Sequence, residues 1–221
     1  MYDWDFSILW QYRWLFVYGS LATLLFAFLT SILGLVIGLI TAVAMLSKLW
    51  IVRLPLMVYI GVFRCTPVLV QLVWFYYALP GLTGITMTPM VAGVLALALY
   101  GGAFYGEIIR GGIVSIDEGQ WDGAKALGMR RKDVMRRIIL PQAFTRMIPP
   151  LVNQSILQIK NTSLLSTVAV PELLYRSQMI TAETYRPLEV YTTVAVVYLV
   201  ILFPMTLFVD WLENRLNSKT R

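Results

Sequence analysis

Residues 14–47 read WLFVYGSLATLLFAFLTSILGLVIGLITAVAMLS, 34 positions without a charge between Arg13 and Lys48. A helix needs about 20 apolar residues, at about 1.5 Å each, to cross a hydrocarbon core of about 30 Å. This run exceeds that length, so the helix it forms is expected to tilt or to overrun the core at one end. It does not read as a signal peptide, because it is too long and the flank before it (Asp3, Asp5) is acidic. The composition agrees. The chain of 221 residues is 58% hydrophobic and 14% charged, with a mean hydropathy of +0.71. Soluble domains sit near about 45–50% apolar and about 25% charged.

Working outward, the next charge-free run lies between Arg64 and Glu107 and holds 42 residues. Pro80-Gly81, Gly84 and Pro89 punctuate it. Turn residues inside a double-length run predict two helices and a short loop. A kink is expected near Pro67, where the backbone loses a donor. A fourth run extends from Pro150 to Val170, interrupted by Lys160, and a fifth, Val190 to Val209, is charge-free for 20 residues. The expectation is a single all-α integral membrane domain over residues 1–221. It has five spans, near 15–47, 54–80, 88–110, 150–170 and 188–210, and a cytoplasmic loop near 111–149.

Five spans place the termini on opposite sides, and Lys and Arg accumulate on cytoplasmic segments. With the C-terminus inside, the inner segments carry 13 basic residues: Lys48, Arg53, Arg110, Lys125, Arg130, Arg131, Lys132, Arg136, Arg137, Arg146, Arg215, Lys219 and Arg221. The outer segments carry three, Arg13, Arg176 and Arg186, while Arg64 and Lys160 lie within or beside spans. This predicts N-out and C-in. The formal charge of +6 then reflects topology and not a nucleic-acid partner. A single cysteine, Cys65, excludes a disulfide framework and Cys-rich metal sites, and the absence of histidine excludes Ser-His and Cys-His nucleophile pairs. No G-x-x-x-x-G-K-[ST] stretch occurs. The chain therefore reads as a non-enzyme without a metal or cofactor of its own, driven by a partner or a gradient.

Segment 111–149 is too short for a domain with its own core. It reads as two short helices: GQWDGAKAL, residues 119–127, stopped by Gly128, and KDVMRRIIL, residues 132–140, stopped by Pro141. Gly123, Ala124 and Ala126, with Trp121 as an anchor, would let the first helix approach a groove in another protein closely. The competing reading is an interfacial helix lying on membrane lipid, with Lys and Arg snorkelling.

The spacing of this segment resembles a known family. Asp122-Gly123-Ala124, Gly128 after three further residues, and Ile138-Ile139-Leu140-Pro141 follow the EAA-x3-G-x9-I-x-L-P pattern of permease subunits of bacterial ATP-binding-cassette importers, with Asp for Glu and Gly for the first Ala. Phe63-Arg64-Cys65-Thr66-Pro67 resembles the FR-G-TP block of the polar amino-acid branch, and Lys160-Asn161-Thr162-Ser163-Leu164 resembles its K-D-[ST]-S-L block, with Asn161 for the usual acid. The resemblance runs from about residue 15 to 215. It implies the type I importer permease fold in a bacterial inner membrane. Two permease subunits, alike or related, would pair there. A dimeric ATPase below would bind ATP and Mg, and a solute-binding protein above would deliver the amino acid. Asp122, Gly123, Ala124, Ala126, Leu127 and Gly128, with Leu140 and Pro141, would form the coupling surface for the ATPase.

Polar residues at membrane depth are costly and default to functional hypotheses. The fourth span concentrates them. At about 100° per residue, Gln154, Gln158 and Asn161 share one face, bordered by Lys160. Lys160 lies ten residues beyond Pro150, about 15 Å along the helix and near the midplane. Arg64, Gln71, Tyr100, Gln154, Gln158, Lys160, Asn161 and Ser163 are the candidates for a substrate pathway, with packing between helices as the alternative role. The polar outer loop Pro171–Pro187 offers Glu172 and Arg176 as docking residues for the binding protein. The rival function is an ion-coupled secondary transporter. It would call for inverted repeats and buried carboxylates for ion coupling, which the sequence does not show.

Overall fold

The computed structural model describes residues 2–218, so Lys219 and Arg221, counted above among the inner-side charges, lie outside it. Every regular element among the described residues is helical. A short α1 (Ser7–Gln11) leads into the long α2 (Arg13–Met45). Then come α3 (Trp50–Cys65), α4 (Val68–Val73), a π turn (Trp74–Ala78) and α5 (Leu79–Thr83). After α6 (Pro89–Val114) the chain forms α7 (Glu118–Ala126), α8 (Arg131–Val134), a second π turn (Met135–Ile139) and α9 (Leu140–Asn161). A 3-10 turn (Thr162–Val168), α10 (Leu173–Thr184) and α11 (Pro187–Ser218) complete it.

Three helices among the described residues are long and apolar enough to cross a membrane: α2, α6 and α11 over Pro187–Leu216. The pair Trp50–Cys65 and Val68–Thr83 also qualifies, bent by 110° at its break. The expected kink near Pro67 is thus nearly a right angle. Thr66 is extended, at φ −111° and ψ 143°, as a residue before proline prefers. The Gln71 amide bridges the break. Its Nε2 donates to the Phe63 carbonyl at 3.0 Å, to the Thr66 carbonyl at 3.0 Å and to Thr66 Oγ1 at 2.7 Å, serving carbonyls that the helix end leaves unpaired.

Small residues set the helix directions. A Cβ on Gly34 would lie 3.2 Å from Gly102 N, and one on Gly38 would lie 2.7 Å from Tyr105 Cβ and 2.8 Å from Gly106 N. The two helices advance together through these contacts, so α2 and α6 run parallel. Against α9 the order reverses. Gly112 meets Met147 and Gly101 meets Gln158, and Gly93 meets Leu165 in the 3-10 turn that follows α9. The α9 helix therefore runs antiparallel to α6 and covers the same depth, although it is too polar to be among the three apolar helices.

Both π turns close two residues before a proline. Leu79 N–H donates to the Trp74 carbonyl ahead of Pro80, and Leu140 N–H donates to the Met135 carbonyl ahead of Pro141. Inside an α-helix a proline ring collides with the carbonyl four residues back, and the wider π turn moves that carbonyl aside. This corrects the expectation that the second loop helix stops at Leu140. Residues 131–161 form one helical rod that carries Pro141 within it. The expected loop 111–149 shortens accordingly, since α6 continues to Val114 and α9 begins at Leu140.

At the opposite end, α11 is held lightly, with only 11% of its most apolar stretch buried. Val190 and Val194 pack with Phe16, Leu173 and Ile180. The buried Glu189 carboxylate accepts from Tyr2 Oη at 2.6 Å, from Asp5 N at 3.0 Å and from Arg186 at 3.2 Å.

Candidate functional site

The α7 surface is built from its two ends. Asp117 caps the start, its carboxylate accepting from Gly119 N at 2.7 Å. At the other end Met129 N donates to the Ala124 carbonyl at 3.1 Å and Gly128 N to the Lys125 carbonyl at 3.0 Å. That pair of bonds is a Schellman motif, and Gly128 supplies the left-handed residue it needs, at φ +71°. The helix rests on a core of Ile113, Ile116, Val134, Ile139, Ala143 and Met147, into which Ala124 is buried and against which Trp121 packs. Two expectations change here. Ala124 faces the chain's own core, so it is no part of an outward surface. Trp121 fastens α7 to its own chain. The surface that remains is Asp122, Gly123, Ala126 and Leu127, with Leu140 and Pro141 exposed on the neighbouring rod. Leu127 is 82% exposed although it is a leucine.

The expected polar face divides into two sets. Gln71, Gln154 and Gln158 are buried. Gln158 Nε2 donates to the Leu97 carbonyl at 2.6 Å and ties α9 to α6. Gln71 stitches the α3–α4 break. All three turn inward. Gln71 and Gln158 serve backbone carbonyls, which corrects their assignment to a pathway; the Gln154 amide nitrogen is buried with no hydrogen-bond partner among the described residues.

The other set stays open. Lys160 is exposed, as are Asn153 and Leu157 on the same side of α9, while Asn161 and Ser163 are half-buried. The Ser163 hydroxyl is already spent on the Lys160 carbonyl at 2.7 Å. The Tyr100 hydroxyl lies beside the Asn161 side chain. Tyr100 packs on Phe104, ring centres 4.7 Å apart, and the Arg64 guanidinium sits 5.6 Å above the Phe104 ring. Arg64 also reaches Glu107 at 3.2 Å, and Arg110 holds the same carboxylate at 2.8 Å. Arg64, Tyr100 and Asn161 are therefore joined through Phe104, which the sequence reading did not single out. The i, i+4 aromatic pair Tyr100/Phe104 was the available signal. Glu107 sets one negative charge against both Arg64 and Arg110, so positive charge is in excess on this face.

The expected docking residues Glu172 and Arg176 are already engaged. Glu172 is buried and caps α10, accepting from Tyr175 N at 2.7 Å and from Thr23 Oγ1 at 3.2 Å. Burial pushes its carboxyl up from the usual range, and backbone amides at Leu174 and Tyr175 pull it back in part. Tyr198 lies close to it, beside Thr23 and Thr162. Arg176 donates to the Pro171 carbonyl at 3.1 Å and packs on Gly19. The loop assigned to residues 171–187 is mostly helix α10. Its outward residues are others, such as Met179 and Tyr185.

Comparison with known proteins bears on both surfaces. The chain is 38% identical over 214 residues to the glutamine transport system permease protein GlnP of Escherichia coli K12, covering 96% of this chain and 98% of that one. It is 38% identical over 200 residues to the L-cystine transport system permease protein TcyB of Bacillus subtilis, covering 90% and 85%. A solved amino acid ABC transporter, crystallised with histidines, superposes with a TM-score of 0.92 at 34% identity, over 97% of this chain and 100% of that one. The inward-facing methionine transporter MetNI has the same fold, with a TM-score of 0.73 at 20% identity over 92% and 97%. A family model described as the inner membrane component of binding-protein-dependent transport systems matches residues 34–221, and the chain belongs to that family, the permease subunits of ABC importers.

Proposed function

We propose that this permease moves a polar amino acid inward by alternating access, and that the observation carrying this reading is the rigid link from α7 to the open cationic face. A rod that starts beside α7 continues through residues 131–161 to Lys160 and Asn161. A partner ATPase gripping Asp122, Gly123, Ala126 and Leu127 would displace the far end of that rod as a body. The N-out, C-in topology with five crossings is part of the proposal. Parallel α2 and α6 need a return crossing between them, which the broken α3–α5 segment supplies, and α9 and α11 add two more.

Arg64 and Lys160 would be costly against lipid. They fit a wet passage between two permease copies, where a substrate carboxylate neutralises them. With Glu107 already held by two arginines, the passage favours neutral or acidic amino acids over basic ones. The glutamine and cystine relatives are compatible with that class. Glutamine delivery to this chain by its own binding protein is the first case to try.

The test is uptake into proteoliposomes. The permease is reconstituted with its ATPase and binding protein, twenty radiolabelled amino acids are offered, and ATP is enclosed or withheld. ATP-dependent uptake of a narrow neutral or acidic subset is expected. Transport indifferent to ATP but collapsing with the sodium or proton gradient would replace this reading with a secondary transporter. In the same vesicles Leu127→Asp is expected to abolish uptake while leaving the permease inserted.

A further inference from the structure

A groove of about 560 Å³ opens between α2 and α11, with α9 as its floor. Leu24, Phe28 and Leu35 form one wall, Met205 the other, and Ser155 and Ile159 the base. Its size falls within the range of about 300–1,000 Å³ typical of ligand pockets. Its polar groups are three hydroxyls, those of Ser31, Tyr105 and Ser155. The Tyr105 and Ser155 hydroxyls bond each other at 2.9 Å, and Ser155 also bonds the Leu151 carbonyl at 3.0 Å.

Two features decide what fills it. The walls are two of the three helices apolar enough to cross a membrane, and Phe28 is 66% exposed at the rim. The groove opens along an apolar side of α2 on which Leu24, Phe28, Ile32 and Leu35 are all exposed. On α9, Leu151, Ser155 and Ile159 point roughly opposite to Asn153, Leu157 and Lys160. The face that needs water or a second permease copy therefore looks away from the groove. We propose that the groove holds an acyl chain of a bilayer phospholipid, seated where α2 and α11 have parted beyond their shared packing at Phe16, Val190 and Val194.

The experiment uses the complete transporter in liposomes doped with a phospholipid that carries a photoreactive diazirine midway along one acyl chain. Labelled residues are mapped by peptide mass spectrometry. Labelling of the floor, at Ser155 and Ile159, is expected in the wild type. In Ser31→Phe, which puts a ring into the groove, floor labelling is expected to fall more than tenfold, while labelling of Leu21 and Leu25 on the outer side of α2 stays level. A wild-type floor that takes no label overturns the proposal without recourse to any variant. So does floor labelling that Ser31→Phe leaves unchanged. Efficient Phe28→Cys cross-linking between copies, in a Cys65→Ser background, would also overturn it, because it would seat a second permease in the groove.

Discussion

Gly38→Ala isolates the packing that holds α2 to α6. The added Cβ would stand 2.7 Å from Tyr105 Cβ, 2.8 Å from Gly106 N and 3.0 Å from Tyr105 C. None of these atoms is the free end of a side chain, so relief requires the helices to part until the closest contact reaches an ordinary 3.4 Å. Overpacking of this kind costs about 1–3 kcal/mol. Against it, alanine gains about 0.5–1 kcal/mol over glycine in a helix interior. Gly111→Ala serves as the control in the same helix pair, since its Cβ meets nothing within 4 Å and it keeps the propensity gain alone. For a chain of this length 1 kcal/mol moves the melting temperature by about 2–4 °C. The permease in nanodiscs, followed by tryptophan fluorescence, is expected to melt about 2–12 °C lower with Gly38→Ala than with Gly111→Ala, which itself melts no lower than the wild type. If Gly38→Ala melts at or above the wild-type temperature, close α2–α6 approach does not hold this membrane core together.

Three further outcomes are expected. Gly128→Ala puts a Cβ on a residue at φ +71°, at a cost of about 1–2 kcal/mol; uptake per ATP hydrolysed should drop, and Gly128→Asn, which tolerates that conformation better, should drop less. If Lys160 meets the substrate carboxylate as proposed, Lys160→Met removes a charge-assisted contact of about 1.5 kcal/mol, so half-saturation of ATP-driven uptake at the permease, measured with mutant binding protein that cannot limit delivery, should rise about tenfold; an unchanged value would exclude Lys160 from the pathway. Glu172 has a folded pKa above its unfolded one, so its contribution to stability is full below the unfolded value and is lost as pH rises through the folded value. Glu172→Gln keeps an acceptor for Tyr175 N, and it should narrow the fall in melting temperature between pH 4.5 and pH 8.

The sequence made the α2 span, the α7 helix and the cation pair legible through local rules: length without charge, a glycine stop, and polar residues at depth. What it could not show was orientation around a helix. Gln154 and Lys160 lie on one helix, yet one side chain is buried and the other exposed. Only the register of α9 against Gly101 and Gly112 decides between them. Glu172 misled for a related reason. A carboxylate in a polar stretch reads as surface, but this one caps α10 beneath α2. Pro141 read as a stop because one-dimensional rules have no place for a π turn.

That π turn sets the phase of the rod. Val134, Ile139, Ala143 and Met147 all enter one apolar cluster. At about 100° per residue an unbroken α-helix would turn Val134 and Ala143 to opposite sides. The turn at Met135–Ile139 acts as a one-residue insertion that brings Val134 round to the others. The rod is thus one residue longer than its faces require, and that surplus is matched to a proline. Deleting one residue from the turn leaves both faces in register but drives Pro141 into a tight helix, and replacing Pro141 alone leaves a bulge with no ring to accommodate. Each change by itself is a defect, while the two together restore a plain helix, so the length of this segment and the identity of residue 141 are free to change only as a pair.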